Sequence, residues 1–160
     1  MQNDLSKIQI RKIGQGEVEL LTTYRIAYLS EMQGEQNEEY LQKLKDELNK
    51  YFSQALTDNT FFAFLAELNG EILSFGAMVI KKIPGDFNQP LYLEGDILNM
   101  YTVPFARRKG ISAMILQELL NEARDRGISK VALHTSKDGE KLYRKFGFGE
   151  PIYPVLEICL

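Results

Sequence analysis

The sequence is short of the residues that bind metals and form disulfides. Its 160 residues include one cysteine, Cys159, and one histidine. A lone cysteine excludes an intrachain disulfide, and the two residues together leave no Cys/His set for zinc. The composition therefore predicts a protein without a bound metal, and it favours the reducing environment of the cytoplasm.

Long apolar runs and a surplus of positive charge are also missing. No run approaches the roughly 18 apolar residues of a membrane span, and the N-terminus "MQNDLSKIQI" has no basic region followed by an apolar one. Lys and Arg total 19 against 22 Asp and Glu, which gives a net charge of -3. We therefore expect no export, no membrane partner and no general attraction to nucleic acid.

What is present fits one globular domain over residues 1–160. Hydrophobic residues make up 44% of the chain and charged residues 26%, which suffices for a buried core at this length. No internal repeat or low-complexity segment interrupts it.

Hydrophobic periodicity predicts elements in the order β-α-α-β-β-β-α-β-α-β. A first strand, "KIQIRKI", precedes two amphipathic helices separated by "GEQNEE". Asn69-Gly70 between two apolar runs predicts a hairpin with a type I′ turn. A long strand over residues 91–103 and a helix from Gly110 follow, and then the strand "KVALHTS", the helix "KDGEKLYRKF" and the strand "YPVLEICL". The pattern predicts an α/β (α+β) fold, with a mixed, largely antiparallel central sheet and helices on both faces.

A basic turn joins the long strand to the helix that starts at Gly110. Arg107, Arg108 and Lys109 precede that glycine. A helix N-terminus offers unpaired N–H groups and a partial positive charge, so this junction suits a bound phosphate. The spacing matches neither a P-loop nor the G-x-G-x-x-G dinucleotide turn. On composition alone, a solvated basic turn explains the same residues.

Two motifs resemble those of a known family. Arg107-x-x-Gly110-x-Ser112 resembles the acetyl-CoA signature [RQ]-x-x-G-x-[GA] of the GNAT superfamily of N-acetyltransferases, and "LYRKFGF" at residues 142–148 resembles its second landmark. The resemblance implies a GNAT-like fold, acetyl-CoA as co-substrate and acyltransferase activity. Acetyl transfer to a primary amine would then proceed by direct attack in a ternary complex.

The resemblance also implies where acetyl-CoA binds. Backbone groups of Met100, Tyr101 and Thr102 would pair with the pantetheine arm where two strands separate, and a bulge near Asn99 would direct an amide at the thioester oxygen. The pyrophosphate would contact residues of the signature turn, which are Arg107, Arg108, Lys109, Gly110, Ile111, Ser112 and Ala113.

Two candidate cofactor-binding positions depart from the family pattern. Ser112 stands where Gly or Ala is usual, and its hydroxyl either bonds the phosphate or crowds it. Ser136 stands where Asn is common, before the last helix. Neither change removes a backbone donor, so the prediction of a cofactor site stands.

Tyr143, within "LYRKFGF", is the expected proton donor to the departing thiolate. A phenol of pKa about 10 can protonate a thiolate whose thiol has a pKa near ~8.5, given a hydrogen bond to the sulfur. The alternative is an aromatic side chain that packs between helix and sheet.

Glu94 and Asp96 are the expected bases. Their i, i+2 spacing places both on one face of the long strand, where a carboxylate would deprotonate the amine through a water chain. The alternative is a pair of solvent-facing acids. His134 at the end of a strand has the side chain best matched to proton transfer near pH 7, but a lone strand histidine is more often structural. Cys159 is assigned no role.

The acceptor amine is not identified by the sequence. In proteins of the family that the chain resembles, the first helical pair and the strand-connecting loops surround the acceptor, here residues 24–47 and "PGDFNQP". The acidic residues there predict either attraction of a cationic amine or a solvated face; they are Glu31, Glu35, Glu38 and Glu39.

Several alternatives about partners and activity stay open at this point. A small-molecule amine and a peptide amine remain equal candidates for the acceptor, and a homodimer is open. A non-catalytic CoA-binding regulatory module is the competing function. An RNA-binding domain that uses the basic turn is less favoured, because the chain is acidic and lacks interleaved exposed aromatics.

Overall fold

The computed structural model describes residues 5–160 as one five-stranded sheet with four α-helices. The strands are β1 (Gln9–Lys12), β2 (Phe61–Leu68), β3 (Glu71–Pro84), β4 (Leu91–Thr102) and β5 (Lys130–Ala132). The helices are α1 (Val18–Gln33), α2 (Glu38–Thr57), α3 (Ile111–Asp125) and α4 (Lys137–Lys145). Short 3-10 turns occupy Leu5–Lys7, Gln15–Glu17 and Pro104–Ala106.

The sheet is mixed and largely antiparallel, as predicted. Its strands lie in the order β1-β2-β3-β4-β5. Neighbours pair antiparallel from β1 to β4, while β5 pairs parallel with β4 after the crossover through α3. The β2–β3 hairpin is confirmed at its turn, where Asn69 (φ 53°) and Gly70 (φ 81°) both have the positive φ of a type I′ turn.

Helices cover both faces of the sheet, which the hydrophobic periodicity also predicted. On one face, Ile111, Ile115 and Leu119 of α3 pack on Phe62 and Met78 of the central strands. On the other face, α1 and α2 contribute a second buried cluster, which includes Leu21, Phe52, Ala55, Phe61, Leu65 and Phe75. Strand β2 is buried on both sides, and this explains its nearly unbroken apolar sequence.

The prediction of a last strand at "YPVLEICL" is wrong. Residues 151–160 form no strand and are exposed throughout, including Cys159. Strand β5 is also shorter than the predicted "KVALHTS", since it ends at Ala132. An alternating sequence becomes a strand only beside a partner with free N–H and C=O groups, and a three-residue edge strand offers few. Pro154 further lacks an N–H group to donate.

Two kinds of feature are absent from the described residues 5–160. No helix there combines the length and the apolar character needed to cross a membrane. No group of three His, Cys, Asp or Glu side chains in this part of the chain lies close enough to hold a metal ion.

Candidate functional site

An opening in the sheet begins where β4 and β5 stop pairing. Their parallel register ends with Asp96 opposite Ala132, whereas β4 continues to Thr102 and stays paired with β3 on its other side. The edge of β4 over residues 97–102 is therefore unpaired on the side where β5 would continue. We call this opening, between residues 97–102 and residues 133–136, the β4–β5 cleft. Met100, Tyr101 and Thr102, the expected pantetheine contacts, lie on its edge.

A β-bulge in β4 lies beside this cleft. Leu98 pairs with Ala77 and Tyr101 with Phe75, so two residues of β4, Asn99 and Met100, stand opposite Gly76 alone. Asn99 adopts φ 58°, a left-handed conformation that asparagine tolerates better than most residues. The resemblance implied a bulge at this position, and the structure has one.

Gly76 leaves room for the bulge. A Cβ atom at this position would lie 2.6 Å from the Met100 sulfur and 2.6 Å from Cγ2 of Ile115 on α3. Any larger residue would push against both side chains. The glycine thus lets α3 lie close to β3 while Met100 turns toward the same face.

The basic turn after β4 presents a row of free backbone donors. Arg108 (φ 63°) and Gly110 (φ 80°) both have positive φ, and Gly110 is the N-cap of α3. No described residue accepts a hydrogen bond from the backbone N–H groups of residues 108–112. The N–H of Ala113 differs, because it already donates to the Gly110 carbonyl at 3.1 Å. The donors and the positive end of the α3 dipole meet at an exposed turn, where an anion is favoured.

The three cations of this turn have different surroundings. Arg107 donates through Nε to the Thr102 carbonyl (2.9 Å) and through Nη2 to Glu31 of α1 (2.6 Å). Its guanidinium also lies 5.9 Å from the centroid of the Tyr101 ring. Arg108 and Lys109 are exposed. Arg107 thus holds the turn against β4 and α1, and the other two are available to a ligand.

Ser112 and Ser136 both use their hydroxyls within the protein. The Ser112 hydroxyl lies 2.8 Å from that of Thr102, which in turn lies 2.8 Å from the buried Ser74 hydroxyl on β3. This chain joins the first turn of α3 to the end of β4. Ser136 caps α4, since its hydroxyl accepts from the N–H of Gly139 at 3.2 Å.

Tyr143 lies on α4 and is half-buried. Its ring packs edge-on against Phe148, with centroids 5.8 Å apart. Burial raises the pKa of Tyr143 to about 12, and the neighbouring Tyr28 phenol of α1 acts in the same direction. The phenol therefore keeps its proton throughout the neutral range. Both expectations for this residue, packing and proton donation, are compatible with this position.

Glu94 and Asp96 lie on one face of β4, as their spacing predicted, and each has a lysine partner. Asp96 forms an ion pair with Lys81 of β3 at 2.8 Å. Glu94 forms one with Lys130 of β5 at 2.9 Å. The neighbouring Leu98 belongs to the core cluster under α1 and α2, so the two carboxylates face the side of the sheet that those helices cover. His134, by contrast, is exposed beyond the end of β5.

Sequence reasoning missed the contribution of Arg25. This α1 residue is partly buried, and its Nη1 donates a hydrogen bond to Oδ1 of Asn99. It therefore links the first helix to the bulge. One feature of the sequence pointed to this residue. The apolar stripe of the first predicted helix passes through either Tyr24 or Arg25, so a basic residue lies within or beside a stripe that is otherwise apolar.

Comparisons with known proteins agree on one family. The model of the Acetyltransferase (GNAT) family matches residues 25–148. No curated protein matches the chain.

Solved structures match nearly the full length of the chain. A predicted acetyltransferase from Clostridium acetobutylicum, crystallised with acetyl-CoA, is 32% identical; 95% of this chain and 96% of that chain are covered, with a TM-score of 0.82. A GCN5-related N-acetyltransferase from Ralstonia eutropha JMP134 is 24% identical over 94% and 98% of the two chains, with a TM-score of 0.76. An aminoglycoside acetyltransferase from an uncultured soil metagenomic sample is 19% identical over 96% and 98%, with a TM-score of 0.69.

Replacement of Gly110 by valine tests the turn as the phosphate site. A Cβ at Gly110 would meet no atom within 4 Å, so the side chain would project into the space that a phosphate would use, and φ 80° is unfavourable for a β-branched residue. We expect Gly110→Val to weaken acetyl-CoA binding at least about 10-fold by calorimetry, which corresponds to about 1.4 kcal/mol.

Gly127→Val is the matched control for this change. Gly127 follows the other end of α3, also has positive φ (73°) and also has no atom within 4 Å of a built Cβ. It should show a similar loss of stability with unchanged acetyl-CoA affinity. Equal affinities in the two variants would place the phosphate site elsewhere.

Proposed function

The chain belongs to the GNAT family of acetyltransferases, and we propose that it is an N-acetyltransferase that transfers the acetyl group of acetyl-CoA directly to a primary amine. As a member of this family it is an acyltransferase with acetyl-CoA as co-substrate. The observation that carries the proposal is the β4–β5 cleft, which opens next to a turn with free backbone donors. An extended pantetheine arm fits the unpaired edge of β4, and a pyrophosphate fits the turn.

We propose the following positions for the co-substrate. The N–H groups of residues 108–112 bind the pyrophosphate, with added charge from Arg108 and Lys109. The pantetheine amides pair with the β4 edge at Met100 and Tyr101. The Thr102 carbonyl already accepts from Arg107, so Thr102 contributes through its position at the end of the strand. The bulge at Asn99 turns a backbone N–H toward the thioester oxygen, where it stabilises the oxyanion.

The reaction needs one bond made and one broken. The amine nitrogen attacks the thioester carbon, the C–S bond breaks, the nitrogen loses a proton and the thiolate gains one. We assign the proton gained by sulfur to Tyr143. Its raised pKa makes it a weaker acid than an exposed phenol, but the burial that raises the pKa of the phenol also raises that of a nearby thiol. The two groups therefore stay closer in acidity than the phenol value alone suggests.

We assign the proton lost by nitrogen to Asp96, with Glu94 as the second carboxylate, through bound water. Both lie on the face of β4 that α1 and α2 cover, where the acceptor would approach. Asp96 is the better placed of the two, because it ends the β4–β5 pairing at the mouth of the cleft. Its side chain is 43% exposed, so water has access to it.

The competing function is a CoA-binding module without turnover. The two functions differ in one measurement, the release of CoA thiol in the presence of amines.

We also propose a cytoplasmic location, supported by the single cysteine. A homodimer is supported by the apolar side chains that a monomer leaves in water near the C-terminus, which are Ile152, Tyr153, Val155, Leu156, Ile158 and Leu160; light scattering after gel filtration would decide it.

Acetyl-CoA and CoA should both stabilise the folded protein, while adenosine should have little effect, since most of the proposed contacts are to pyrophosphate and pantetheine. At a ligand concentration 100 times Kd, linkage adds about 2.7 kcal/mol to the free energy of unfolding. Thermal unfolding measures this shift, and thiol release with a panel of amines measures turnover. Stabilisation without thiol release would favour the binding module.

Tyr143→Phe separates proton donation from packing. The variant keeps the ring and its contact with Phe148 but removes the proton, so kcat should fall roughly 10²–10⁴-fold while the affinity for acetyl-CoA is unchanged. Steady-state kinetics and calorimetry measure the two quantities. Tyr153→Phe, at an exposed tyrosine, should leave both unchanged. Full turnover in Tyr143→Phe would rule out the phenol as proton donor.

Asp96→Asn tests the base. The variant cannot accept a proton, so its deficit in kcat/KM should shrink as pH rises and an amine of pKa near ~10 loses its proton unaided. Glu94 lies two residues closer to the start of β4, so Glu94→Gln should show a smaller deficit in kcat/KM at neutral pH. A pH-independent deficit in Asp96→Asn would show that Asp96 positions the substrate instead.

A further inference from the structure

Arg25 is a partly buried cation without a carboxylate partner among residues 5–160. The guanidinium groups of Arg11, Arg107, Arg126 and Arg144 each form an ion pair with a glutamate. No described carboxylate lies within ion-pairing distance of Arg25, and its guanidinium hydrogen-bonds to the neutral side chain of Asn99. Burial lowers the pKa of Arg25, while the phenols of Tyr28 and Tyr51 act in the opposite direction. An arginine stays charged nonetheless, so an uncompensated positive charge remains there.

Asn99 adds a second unused donor beside this charge. The residue is 5% exposed, and its Nδ2 is buried with no hydrogen-bond partner among the described residues. Its Oδ1 already accepts from Arg25, so the amide has a hydrogen to donate and nothing to receive it. A buried donor in this state is costly, and such groups are rare in folded proteins. The Asn99 amide therefore lies without an acceptor among the described residues, beside a guanidinium whose recorded hydrogen bond is the one to Oδ1 of Asn99.

The pair lies at the proposed reaction centre. Asn99 belongs to the bulge, three residues beyond Asp96, where the cleft begins. Tyr28 is one helical turn from Arg25 and is close enough to Tyr143 to affect its pKa. Arg25 thus comes from the helix that covers the acceptor side of the sheet and reaches the strand along which the pantetheine would lie.

Acidic groups in this region do not cancel the charge of Arg25. Asp96 and Glu94 are paired with lysines, and Glu31 is paired with Arg107. The other glutamates between α1 and the start of α2 are exposed. The local excess at the bulge is therefore positive, although the chain as a whole is acidic.

We propose that Arg25 and Asn99 bind an anionic oxygen group of the acceptor, so that the substrate class is an amine that also carries a carboxylate or a phosphate. The inference rests on the proposed N-acetyltransferase function. The planar guanidinium binds either anion through paired N–H···O contacts, and the Asn99 amide donates to a further oxygen. Such a contact holds the far end of the acceptor while its amine reaches the thioester. Cationic acceptors are disfavoured by the same charge.

The test uses primary amines of similar length that differ at the far end: aminopentanoate, aminopentylphosphonate, pentylamine and cadaverine. For the whole protein with acetyl-CoA, we expect kcat/KM for the two anionic amines to exceed that for pentylamine by about 10- to 100-fold, the range expected for a hydrogen bond to a charged group. Cadaverine should be the poorest. The anionic amine with the larger kcat/KM shows whether the site prefers a carboxylate or a phosphate.

Arg25→Gln should remove the preference, so that kcat/KM for the two anionic amines falls to the level of kcat/KM for pentylamine in the same variant. Arg25→Lys keeps the charge but loses the paired N–H donors of the planar guanidinium. It should therefore retain part of the preference, and it provides a test even if the glutamine variant does not fold. Arg124→Gln, which removes an exposed cation from α3, is the matched control and should keep the full preference.

A second readout does not depend on turnover. Pentanoate and pentylphosphonate should bind the CoA-loaded protein, as measured by calorimetry, and this binding should be lost in Arg25→Gln. Acetylation of all four amines at similar rates would overturn the anion site and leave the N-acetyltransferase function standing. Arg25-dependent anion binding without any acetylation would overturn the function and leave the site. Absence of both would overturn both.

Discussion

The candidate site depends on the separation of β4 from β5 after Asp96. A parallel pair that continued to Thr102 would satisfy the backbone groups of β4 within the protein and leave no edge for an extended ligand. The pairing of β4 with β5 covers only three residues of β5 and ends at Ala132. Just beyond that point, the bulge at Asn99 and Met100 bends and twists β4. Gly76 permits the bulge by leaving space for Met100. The short β5 thus opens the cleft, and the bulge in β4 sets the positions of the groups around it.

The turn beyond β4 is held by side-chain contacts that leave its backbone donors free. Arg107 bonds the Thr102 carbonyl and Glu31, and the hydroxyls of Ser74, Thr102 and Ser112 form a chain from β3 to α3. These side chains fix the path of the turn, so its N–H groups need little reorganisation when an anion binds. This also accounts for Ser112, the departure from the family signature, because its hydroxyl is directed at Thr102.

Local signals in the sequence were sufficient for most of the fold and for the position of the turn before α3. Asn69-Gly70 specified its hairpin because a type I′ turn depends on the conformations of those two residues alone. Gly110 specified the turn for a similar reason, since a helix N-cap at positive φ favours glycine. The strand predicted at "YPVLEICL" failed because a strand depends on a partner, and no local pattern reports whether an edge is available. The pairing of Arg25 with Asn99, 74 positions apart in sequence, depends on the folded arrangement in the same way.

The charges around the acceptor show most clearly why residue type alone misleads. In the sequence, Glu31 and the glutamates that follow it suggest an acidic region that would attract a cationic amine. In the fold, Glu31 neutralises Arg107, and the carboxylates of β4 neutralise lysines on the adjoining strands. Among the described residues, no carboxylate pairs with Arg25 in this way. The energy of a charge in a partly buried site is governed by its nearest partners and by its loss of water, so a guanidinium without an ion pair among the described residues bears on a ligand more directly than paired or solvated carboxylates do. The local positive charge on which the proposed anion site depends is therefore opposite in sign to the net charge of the chain, and it follows from which ion pairs the fold completes.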